Sequence, residues 1–490
     1  MMEQKKKNIH LLGIGGTGMG ALAGLLKEIG YHVTGSDNEI YSPMKEELER
    51  LEITPYKGYS EKNLDDRPDH VVIGNVITKI NPEAIAVEKQ GIPYLSMPQA
   101  LARFFLKDRQ TLVVTGTHGK TTVSTLLAWF LTAAQKDPGF FIGGIGKNFG
   151  RSAARGSGKY FVVEGDEYDT AYFDKGPKFL HYRPFGSILT SIEFDHADIY
   201  RSLHHVLEAF RKFVALMPHN GVLIANIDDA NVKRVIAEAP CRVVTYGFSP
   251  EAHYAITHLS LTPEGSSCEI TTKKEKISLH SPLAGRHNIV NTVAACALLH
   301  ELGMSFDELQ QGLSTFEGVK RRQEVVGNIK DITIIDDFAH HPTAISETID
   351  AIKARYPKRR VWALFEPRSN TSCRNVFQHE FVEALAHADR VIIASPFKAD
   401  KLPKEERLDA QKIADGLMNE KGIDAHYIPG GTEFILEYLI RNINVQDVIL
   451  VMSNGGFDNI HHKIIEKLER RKLYEDHSQL KMSRIPKKKQ

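Results

Sequence analysis

The stretch T-G-T-H-G-K-T-T, Thr115 to Thr122, decides the fold of the central part of the chain. It follows the apolar run Thr111–Val114 and precedes Val123–Phe130, which the sequence predicts to be a strand and a helix. Glycines at such a junction let backbone N–H groups converge on phosphate oxygens, and the helix N-terminus adds favourable partial charge. We therefore predict a phosphate-binding loop. Its nucleotide-binding residues are Gly116, Thr117, His118, Gly119, Lys120, Thr121 and Thr122.

The spacing of this loop is shorter than that of G-x-x-x-x-G-K-[ST], because only two residues separate Gly116 from Gly119. Lys120 is expected to bridge the β- and γ-phosphates of a nucleotide, and the hydroxyl of Thr121 to bind Mg²⁺. The alternative is a glycine-rich turn with a chance Lys-Thr pair, which the flanking strand and helix disfavour.

A second glycine-rich turn, Gly13–Gly18, follows the predicted strand Ile9–Leu12. It fits G-x-G-x-x-G except for Gly16, and Asp37 lies close to the spacing at which an acidic residue binds a ribose. Alone, the pattern indicates NAD, FAD, a nucleotide-sugar or only close helix packing. A dehydrogenase would not need the ATP-type loop as well, so the two loops together favour a nucleotide-linked substrate.

Polar residues follow two more predicted strands of the central region. Glu164 ends a strand and is the expected Mg²⁺ ligand beside the loop. His196, in Asp195–Asp198, is expected to add an imidazole to the metal site. For Asp166 and Glu167 a solvated helix cap remains a plausible alternative.

Other candidates are less specific. Asn291 precedes the apolar stretch Val293–Leu299 and is placed to face a base, whereas Asn288 could be a helix N-cap. In the run Gly318–Arg322 an arginine could reach a phosphate; a solvated charge run is the alternative.

The last third of the chain repeats one arrangement, in which polar residues follow strand ends. These segments are Asp336–Pro342, Glu366–Asn370 and Ser453–Gly456. In open parallel sheets the ligand crevice lies at the carboxyl ends of the strands. A zinc site formed by His340 and His341 is disfavoured, because adjacent side chains rarely chelate together.

The 490 residues are too many for one hydrophobic core, and strand–helix alternation predicts an α/β protein of three domains. The predicted limits are 1–107 for a Rossmann-like domain, 108–322 for a central P-loop ATPase-type domain and 323–473 for a C-terminal Rossmann-like domain. The central domain carries a small antiparallel insertion at about 254–281, and 474–490 is predicted to be a flexible basic tail.

Charge and cysteine content restrict the partners. Lys plus Arg (62) nearly equals Asp plus Glu (61), so nucleic acid or an anionic membrane is not expected. Four widely spaced cysteines fit a reducing compartment. Lys5–Lys7 before the uncharged stretch Ile9–Leu26 imitates a secretory signal, but that stretch contains six glycines. We expect a cytoplasmic protein without stable membrane association; its oligomeric state is left open.

Taken together, the motifs resemble those of the Mur ligases. The resemblance runs from about Ile9 to Leu468 and rests on G-I-G-G-T-G-M, T-G-T-H-G-K-T-T, E-G-D-E, F-D-H-A-D, G-R-H-N-I-V-N and D-D-F-A-H-H-P-T. F-D-K-G-P-K-F-L-H-Y, L-F-E-P-R-S-N-T and V-M-S-N-G-G-F are similar to the tripeptide-adding members. An L-alanine-adding ligase is the runner-up, and a non-ligating NTPase or UDP-sugar sensor is a distant third.

The resemblance implies a reaction in peptidoglycan recycling. The lactyl carboxylate of UDP-N-acetylmuramate would attack the γ-phosphate of ATP and become an acyl phosphate, with Mg²⁺ as the metal cofactor. The amine of the murein tripeptide L-alanyl-γ-D-glutamyl-meso-diaminopimelate would then displace phosphate. The catalytic residues implied are Lys120, Glu164 and His196, and the metal residues are Thr121, Glu164 and His196.

The resemblance also assigns binding residues. In the first domain, UDP would lie at Gly15, Gly16 and Thr17, with Asp37 as a further substrate contact. The positions that match adenine, phosphate and ribose contacts are Asn291, Arg322 and Asp337.

For the peptide, Arg368 is the candidate to bind a carboxylate. The carbamylated lysine of some family members has no confident match here, since Lys212 is near its position but out of register.

Overall fold

The computed structural model describes residues 7–41 and 44–470, which form two compact units. The first unit extends to Val319, without the segments Leu261–Ser266 and Leu283–Arg286. Those segments and the chain from Lys320 belong to the second unit.

The chain begins with a five-stranded parallel sheet of order β3-β2-β1-β4-β5. Its central strands, Asn8–Leu12 and His70–Ile73, are almost wholly buried, as expected for a parallel sheet covered by helices. The strands are β1 (Asn8–Leu12), β2 (His32–Asp37), β3 (Tyr56–Lys57), β4 (His70–Ile73) and β5 (Tyr94–Ser96). The helices are α1 (Thr17–Glu28), α2 (Met44–Arg50), α3 (Pro82–Lys89) and α4 (Met97–Leu101), followed by a π-helical turn at Ala102–Leu106.

A buried polar cluster lies inside this first sheet layer. His10 on β1 and Glu83 on α3 are 1% and 0% exposed, and their Nε2 and Oε1 atoms are 2.6 Å apart. The same carboxylate accepts hydrogen bonds from Ser36 at 3.0 Å and from Asn63 at 2.9 Å. Because β1, β2 and the 3₁₀ turn Glu61–Leu64 share one buried acceptor on α3, the cluster fixes how α3 packs on the sheet.

The middle of the chain forms a ten-stranded sheet of order β17-β16-β15-β14-β13-β12-β6-β9-β7-β8. Its strands are β6 (Gln110–Thr115), β7 (Gly139–Gly146), β8 (Arg151–Ala154), β9 (Tyr160–Gly165), β12 (Gly186–Leu189), β13 (Val222–Asn226), β14 (Arg242–Gly247), β15 (Tyr254–Thr262), β16 (Gly265–Thr271) and β17 (Lys276–Ser281). A separate hairpin consists of β10 (Asp169–Ala171) and β11 (Asp174–Pro177). The helices are α5 (Lys120–Ala133), α6 (Leu203–Val214), α7 (Ala230–Ile236), α8 (Arg286–Glu301) and α9 (Phe306–Ser314).

The centre of this sheet positions the predicted phosphate loop. β6 lies between β9 and β12, parallel to both, so that the chain leaves β6 at Thr115 beside Gly165 and Leu189. The three carboxyl-terminal strand ends therefore meet at one edge. The predicted insertion continues the same sheet, and its first strand, β15, pairs parallel with β14.

The second unit contains a six-stranded sheet of order β18-β19-β23-β20-β21-β22. β18 pairs antiparallel with β19, and the remaining neighbours are parallel. The strands are β18 (Glu324–Ile329), β19 (Ile332–Asp337), β20 (Val361–Phe365), β21 (Arg390–Ala394), β22 (Asp424–Ile428) and β23 (Val448–Met452). The helices are α10 (Pro342–Arg355), α11 (Gln378–Leu385), α12 (Ala410–Lys421), α13 (Thr432–Asn442) and a last helix at 460–470.

The predicted α/β class with parallel sheets is confirmed. One local alternative is wrong: α8 begins at Arg286, so Asn288 lies within its first turn and is not an N-cap. The domain limits at 107/108 and 322/323 stay predictions, and the predicted tail at 474–490 lies outside the described residues. Among the described helices, none has both the length and the apolar character needed to cross a membrane.

Replacing Glu83 with Ala should lower the free energy of unfolding of this part by about 3–5 kcal/mol, because His10, Ser36 and Asn63 lose a buried acceptor. Urea unfolding followed by circular dichroism measures the loss. Glu49→Ala, at an exposed position on α2, is the matched control and should change stability by less than about 0.5 kcal/mol. Equal effects of both substitutions would contradict a stabilising role for the cluster.

Candidate active site

The loop between β6 and α5 has the backbone that its glycines predict. Gly116 has φ +126° and Gly119, the N-cap residue of α5, has φ +81°, conformations that L side chains rarely adopt. A Cβ on Gly119 would also overlap the side-chain amide of Asn291 on α8. Glycine is thus required at this position by both its φ angle and the close approach of α8.

Two neighbouring residues hold the loop against β12. The backbone N–H of Thr117 donates to the carbonyl of Ser191 at 2.8 Å, and that of His118 donates to the Ser191 hydroxyl at 3.2 Å. The hydroxyl of Thr190 donates to the His118 carbonyl at 2.5 Å. These hydrogen bonds to the segment after β12 hold the loop in place through the protein alone.

Lys120, the first residue of α5, is nearly buried, with 12% of its side chain exposed. Its ammonium lies 2.8 Å from Oε2 of Glu167 and 2.7 Å from the carbonyl oxygen of Gly116. Burial lowers the pKa of Lys120, but the charges of Glu167 and Asp166 more than offset this and raise it. The side chain therefore carries a positive charge at the loop.

Thr121 and Glu164, two of the predicted metal residues, are in direct contact. The Thr121 hydroxyl donates to Oε1 of Glu164 at 2.9 Å, and the N–H of Gly143 donates to its Oε2 at 2.7 Å. Burial and then the nearby charge of Asp166 raise the pKa of Glu164. A hydroxyl beside a carboxylate is a hard oxygen pair of the kind that Mg²⁺ prefers.

His196, the third predicted metal residue, contacts Glu167 instead of Glu164. Its Nε2 lies 3.5 Å from Oε1 of Glu167, whose other oxygen holds Lys120. The residue has φ +53°, and its ring is 30% exposed. Burial lowers the pKa of His196, but the hydrogen bond to Glu167 and its charge raise it overall.

Glu167 has a role in the site that its sequence context did not predict, because it contacts both Lys120 and His196. The solvated helix cap considered for it is wrong, because its side chain is 3% exposed and the strand β10 begins at Asp169. Burial raises the pKa of Glu167, yet Lys120 and His196 lower it to about 2. The Tyr200 hydroxyl donates to its backbone carbonyl. One sequence signal could have indicated its role: Lys120, if buried at the loop, needs an anionic partner.

In the first sheet layer, the second glycine-rich turn leads into α1. Gly16 is the N-cap of α1 and Thr17 its first residue. Gly15 donates its N–H to Oδ2 of Asp37 at 2.9 Å, and the Tyr59 hydroxyl donates to Oδ1 at 3.3 Å. The structure thus brings together the four predicted substrate residues of this domain.

In the second unit, Arg322 and Asp337 lie close to each other. The guanidinium of Arg322 lies 4.6 Å from the ring centroid of Phe338. Asp337 is 4% exposed, and its oxygens accept the N–H groups of Gln323 at 2.7 Å and Ala339 at 2.8 Å. Burial raises the pKa of Asp337. In this structure its carboxylate holds the turn after β19.

Arg321, which the sequence left unassigned, joins two strand ends of this sheet. It donates to Asp336 at 3.1 Å and to the carbonyls of Ser453 and Gly455 at 2.7 and 2.6 Å. The solvated charge run considered for this segment is therefore wrong for Arg321.

Arg368 lies after β20 with its guanidinium 3.8 Å from the ring centroid of Phe397. Its Nη1 is 3.3 Å from Glu366, and the Ser453 hydroxyl donates to the same carboxylate at 2.6 Å. The side chain is 26% exposed, so part of the guanidinium faces solvent.

The remaining candidates have local roles. His341 caps α10 by accepting the N–H of Thr343 at 3.3 Å, and Nδ1 of His340 bonds the Phe338 carbonyl at 3.0 Å. Lys212 lies on the exposed side of α6.

Three family descriptions match successive parts of the chain. "Mur ligase family, catalytic domain" matches residues 8–109, "Mur ligase middle domain" residues 114–299 and "Mur ligase, glutamate ligase domain" residues 321–455. The three matches and the α/β fold therefore place the chain in the class of ligases with three α/β domains.

Known relatives extend this match over nearly the full length. The chain is 37% identical over 465 residues to the UDP-N-acetylmuramate–L-alanyl-γ-D-glutamyl-meso-2,6-diaminoheptandioate ligase of Escherichia coli, covering 94% of this chain and 98% of the relative. It is 31% identical to a UDP-N-acetylmuramate–L-alanine ligase of Syntrophus aciditrophicus, covering 96% and 95%. A murein peptide ligase structure from Psychrobacter arcticus superposes with a TM-score of 0.71 at 32% identity, covering 94% and 98%. The chain belongs to the Mur ligase family.

Gly119→Ala should weaken binding of ADP with Mg²⁺ by more than about tenfold, because the added methyl group meets Asn291 and alanine is strained at φ +81°. Isothermal titration calorimetry measures the affinity. Gly150→Ala is the control: its φ is +65°, but no described atom lies within 4 Å of a Cβ built there. It should lower stability by about 1 kcal/mol and leave ADP binding unchanged. Unchanged binding in Gly119→Ala would refute the loop assignment.

Proposed function

We propose that this protein is an ATP-dependent ligase of peptidoglycan recycling. It joins the lactyl carboxylate of UDP-N-acetylmuramate to the amine of L-alanyl-γ-D-glutamyl-meso-diaminopimelate. The observation that carries this choice is 37% identity to a ligase named for these substrates, with both chains covered almost completely. The L-alanine ligase cited above is 31% identical, which makes L-alanine the second candidate amine.

The reaction has two steps. An oxygen of the lactyl carboxylate attacks the γ-phosphorus of ATP, the bond to the β,γ-bridging oxygen breaks, and ADP leaves. The amine nitrogen of the tripeptide then attacks the acyl carbon, phosphate departs with the bonding electron pair, and the nitrogen loses a proton. The first step brings two anions together, and the second develops negative charge on the acyl oxygen and the departing phosphate, so cationic groups fixed at the site lower both barriers.

Lys120 is the proposed cation of the phosphate loop. The pKa of Lys120 is raised, and its Nζ lies 2.8 Å from Oε2 of Glu167. The ammonium is therefore already in place at the start of α5. Phosphate oxygens would take over its hydrogen bonds to backbone oxygen and carboxylate. His196, on the other side of Glu167, is the proposed second positive group.

The residues around the loop fit a magnesium ion by the chemistry of their donors. The Thr121 hydroxyl and the Glu164 carboxylate, already 2.9 Å apart, would hold it. Bound there, Mg²⁺ would neutralise charge on the phosphates. The predicted metal binding by His196 is the alternative to its positive charge beside Glu167, because only the neutral imidazole can bind a metal.

The binding residues are proposed on the family pattern. UDP is assigned to Gly15, Gly16 and Thr17 with Asp37 beside them, which agrees with the contact of Gly15 and Asp37 at 2.9 Å. Asn291, Arg322 and Asp337 are assigned to the nucleotide, and Arg368 to a peptide carboxylate. Domain limits at 107/108 and 322/323 and a cytoplasmic location, where ATP and UDP-sugars are present, belong to the same proposal.

The amine is tested by offering L-alanine or the tripeptide separately with ATP, Mg²⁺ and UDP-N-acetylmuramate. Phosphate release and the amide product, detected by mass spectrometry, should appear with the tripeptide. Turnover with L-alanine alone would replace the first choice by the second. Phosphate release without amide would favour a non-ligating NTPase.

Lys120→Ala should lower kcat by about 10²–10³-fold with the fold intact, because a preorganised cation is lost. Glu167→Gln, which keeps the shape but removes the charge that holds Lys120, should lower kcat by about 10-fold or more. Steady-state phosphate release measures both. Lys233→Ala, at an exposed position on α7, serves as the control. Ligation by Lys120→Ala at the rate of the unaltered protein would rule out the proposed role of the loop.

A further inference from the structure

The segment F-D-K-G-P-K-F-L-H-Y, Phe173–Tyr182, buries a second lysine near the active site. It folds as β11 and a 3₁₀ turn at Lys178–His181, and β11 pairs antiparallel with β10. Lys178 begins the turn and is 8% exposed. The reaction proposed above gives this lysine no role.

Two groups surround the ammonium of Lys178. Its Nζ lies 3.3 Å from Oδ2 of Asp166 and 3.9 Å from the ring centroid of Tyr168, which is a cation–π contact. Both partners belong to the segment that follows Glu164 and carries Glu167. The lysine therefore contacts the acidic segment of the active site directly.

Backbone bonds already tie the turn to this segment. The N–H of Lys178 donates to the Tyr168 carbonyl and that of Phe179 to the Asp166 carbonyl, each at 3.2 Å. Phe179 is fully buried and packs against Phe210 and Phe213 with tilted rings. The local fold is thus secured by hydrogen bonds and apolar packing.

A buried charge adds little to such a fold. Removing an ammonium from water costs several kcal/mol, and a buried ion pair is often no more stable than apolar side chains of the same size. A methionine could fill the same space. The positive charge is therefore better explained by the arrangement it imposes on Asp166 and Tyr168.

Tyr168 connects this arrangement to His196. The centroids of their rings are 5.1 Å apart, and Nε2 of His196 faces Glu167 at 3.5 Å. Because His196 has a left-handed backbone at φ +53°, no helix or strand sets the direction of its ring. Contacts with Tyr168 and Glu167 have to do so.

We propose that Lys178 is a positioning residue of the ligation site. Its ammonium pairs with Asp166 and holds it away from Lys120, which pairs with Glu167. It also fixes the ring of Tyr168 that His196 contacts. The inference deepens the proposed function and rests on it for the kinetic part of its test. Lys178 touches neither the nucleotide loop nor a predicted substrate residue in the contacts described above.

The kinetic test compares Lys178→Met with the unaltered protein. We expect kcat for ligation of the tripeptide to fall about 10- to 100-fold, as for a small displacement of reacting groups. KM for ATP and for UDP-N-acetylmuramate should change by less than about twofold. Lys178→Arg, which keeps the charge and the aromatic contact, should recover part of the loss. Lys175→Met is the matched control, because Lys175 lies on the same hairpin with 71% of its side chain exposed.

A double-mutant cycle tests the route through Tyr168. Tyr168→Leu should lower kcat by a similar factor, and the double variant with Lys178→Met should be little worse than either single variant. Additive losses would overturn the proposal. So would an unchanged kcat in Lys178→Met, or a loss that Lys178→Arg does not relieve and that accompanies a fall in thermal stability.

A readout without substrates separates this inference from the proposed function. With ¹³C-labelled histidine, the NMR signal of the His196 ring, assigned with His196→Gln, should shift in Lys178→Met and stay unchanged in Lys175→Met. If the unaltered protein forms no amide but this shift occurs, the proposed function fails and the positioning role stands. If ligation occurs and the His196 signal does not move, the positioning role is wrong.

Discussion

A lysine that is nearly buried at the start of a helix must have an anionic partner, and here Glu167 is that partner. The helix N-terminus by itself repels a cation, since it carries partial positive charge. The Lys120–Glu167 pair resolves this conflict and holds the ammonium at the loop where phosphate is expected. Thr121 and Glu164 next to it, and His196 beyond Glu167, are arranged around the same pair.

This pair depends on the order of strands in the central sheet. β6 supplies the loop and Lys120, while β9, its parallel neighbour, ends at Gly165 just before Asp166 and Glu167. β12, on the other side of β6, leads to Ser191 and His196. Because parallel strands end at one edge, three segments far apart in sequence deliver their polar residues to one place.

Lysines balance part of the negative charge at this edge. Three carboxylates, Glu164, Asp166 and Glu167, lie close together, and Lys120 and Lys178 each neutralise one of them. Among the described residues Glu164 forms no ion pair within 4 Å; it accepts hydrogen bonds from the Thr121 hydroxyl and the Gly143 amide. Of the three carboxylates, Glu164 is therefore the one whose charge no lysine pairs with in the described residues, which agrees with its proposed role in binding magnesium.

The sequence by itself determined the elements whose causes are local. Strand and helix alternation, the two glycine-rich turns and the presence of α5 could all be read from it, because side-chain periodicity and positive φ angles depend on neighbouring residues. The start of α5 could not, since the helix begins at Lys120 and not at the predicted Val123. Only the tertiary structure decided which carboxylate pairs with Lys120, that Glu167 is buried, that His196 faces it, and that Lys178 supports the same segment. Lys120, Glu167 and His196 are dozens of residues apart, so their contacts follow from strand order and packing, which local patterns do not specify.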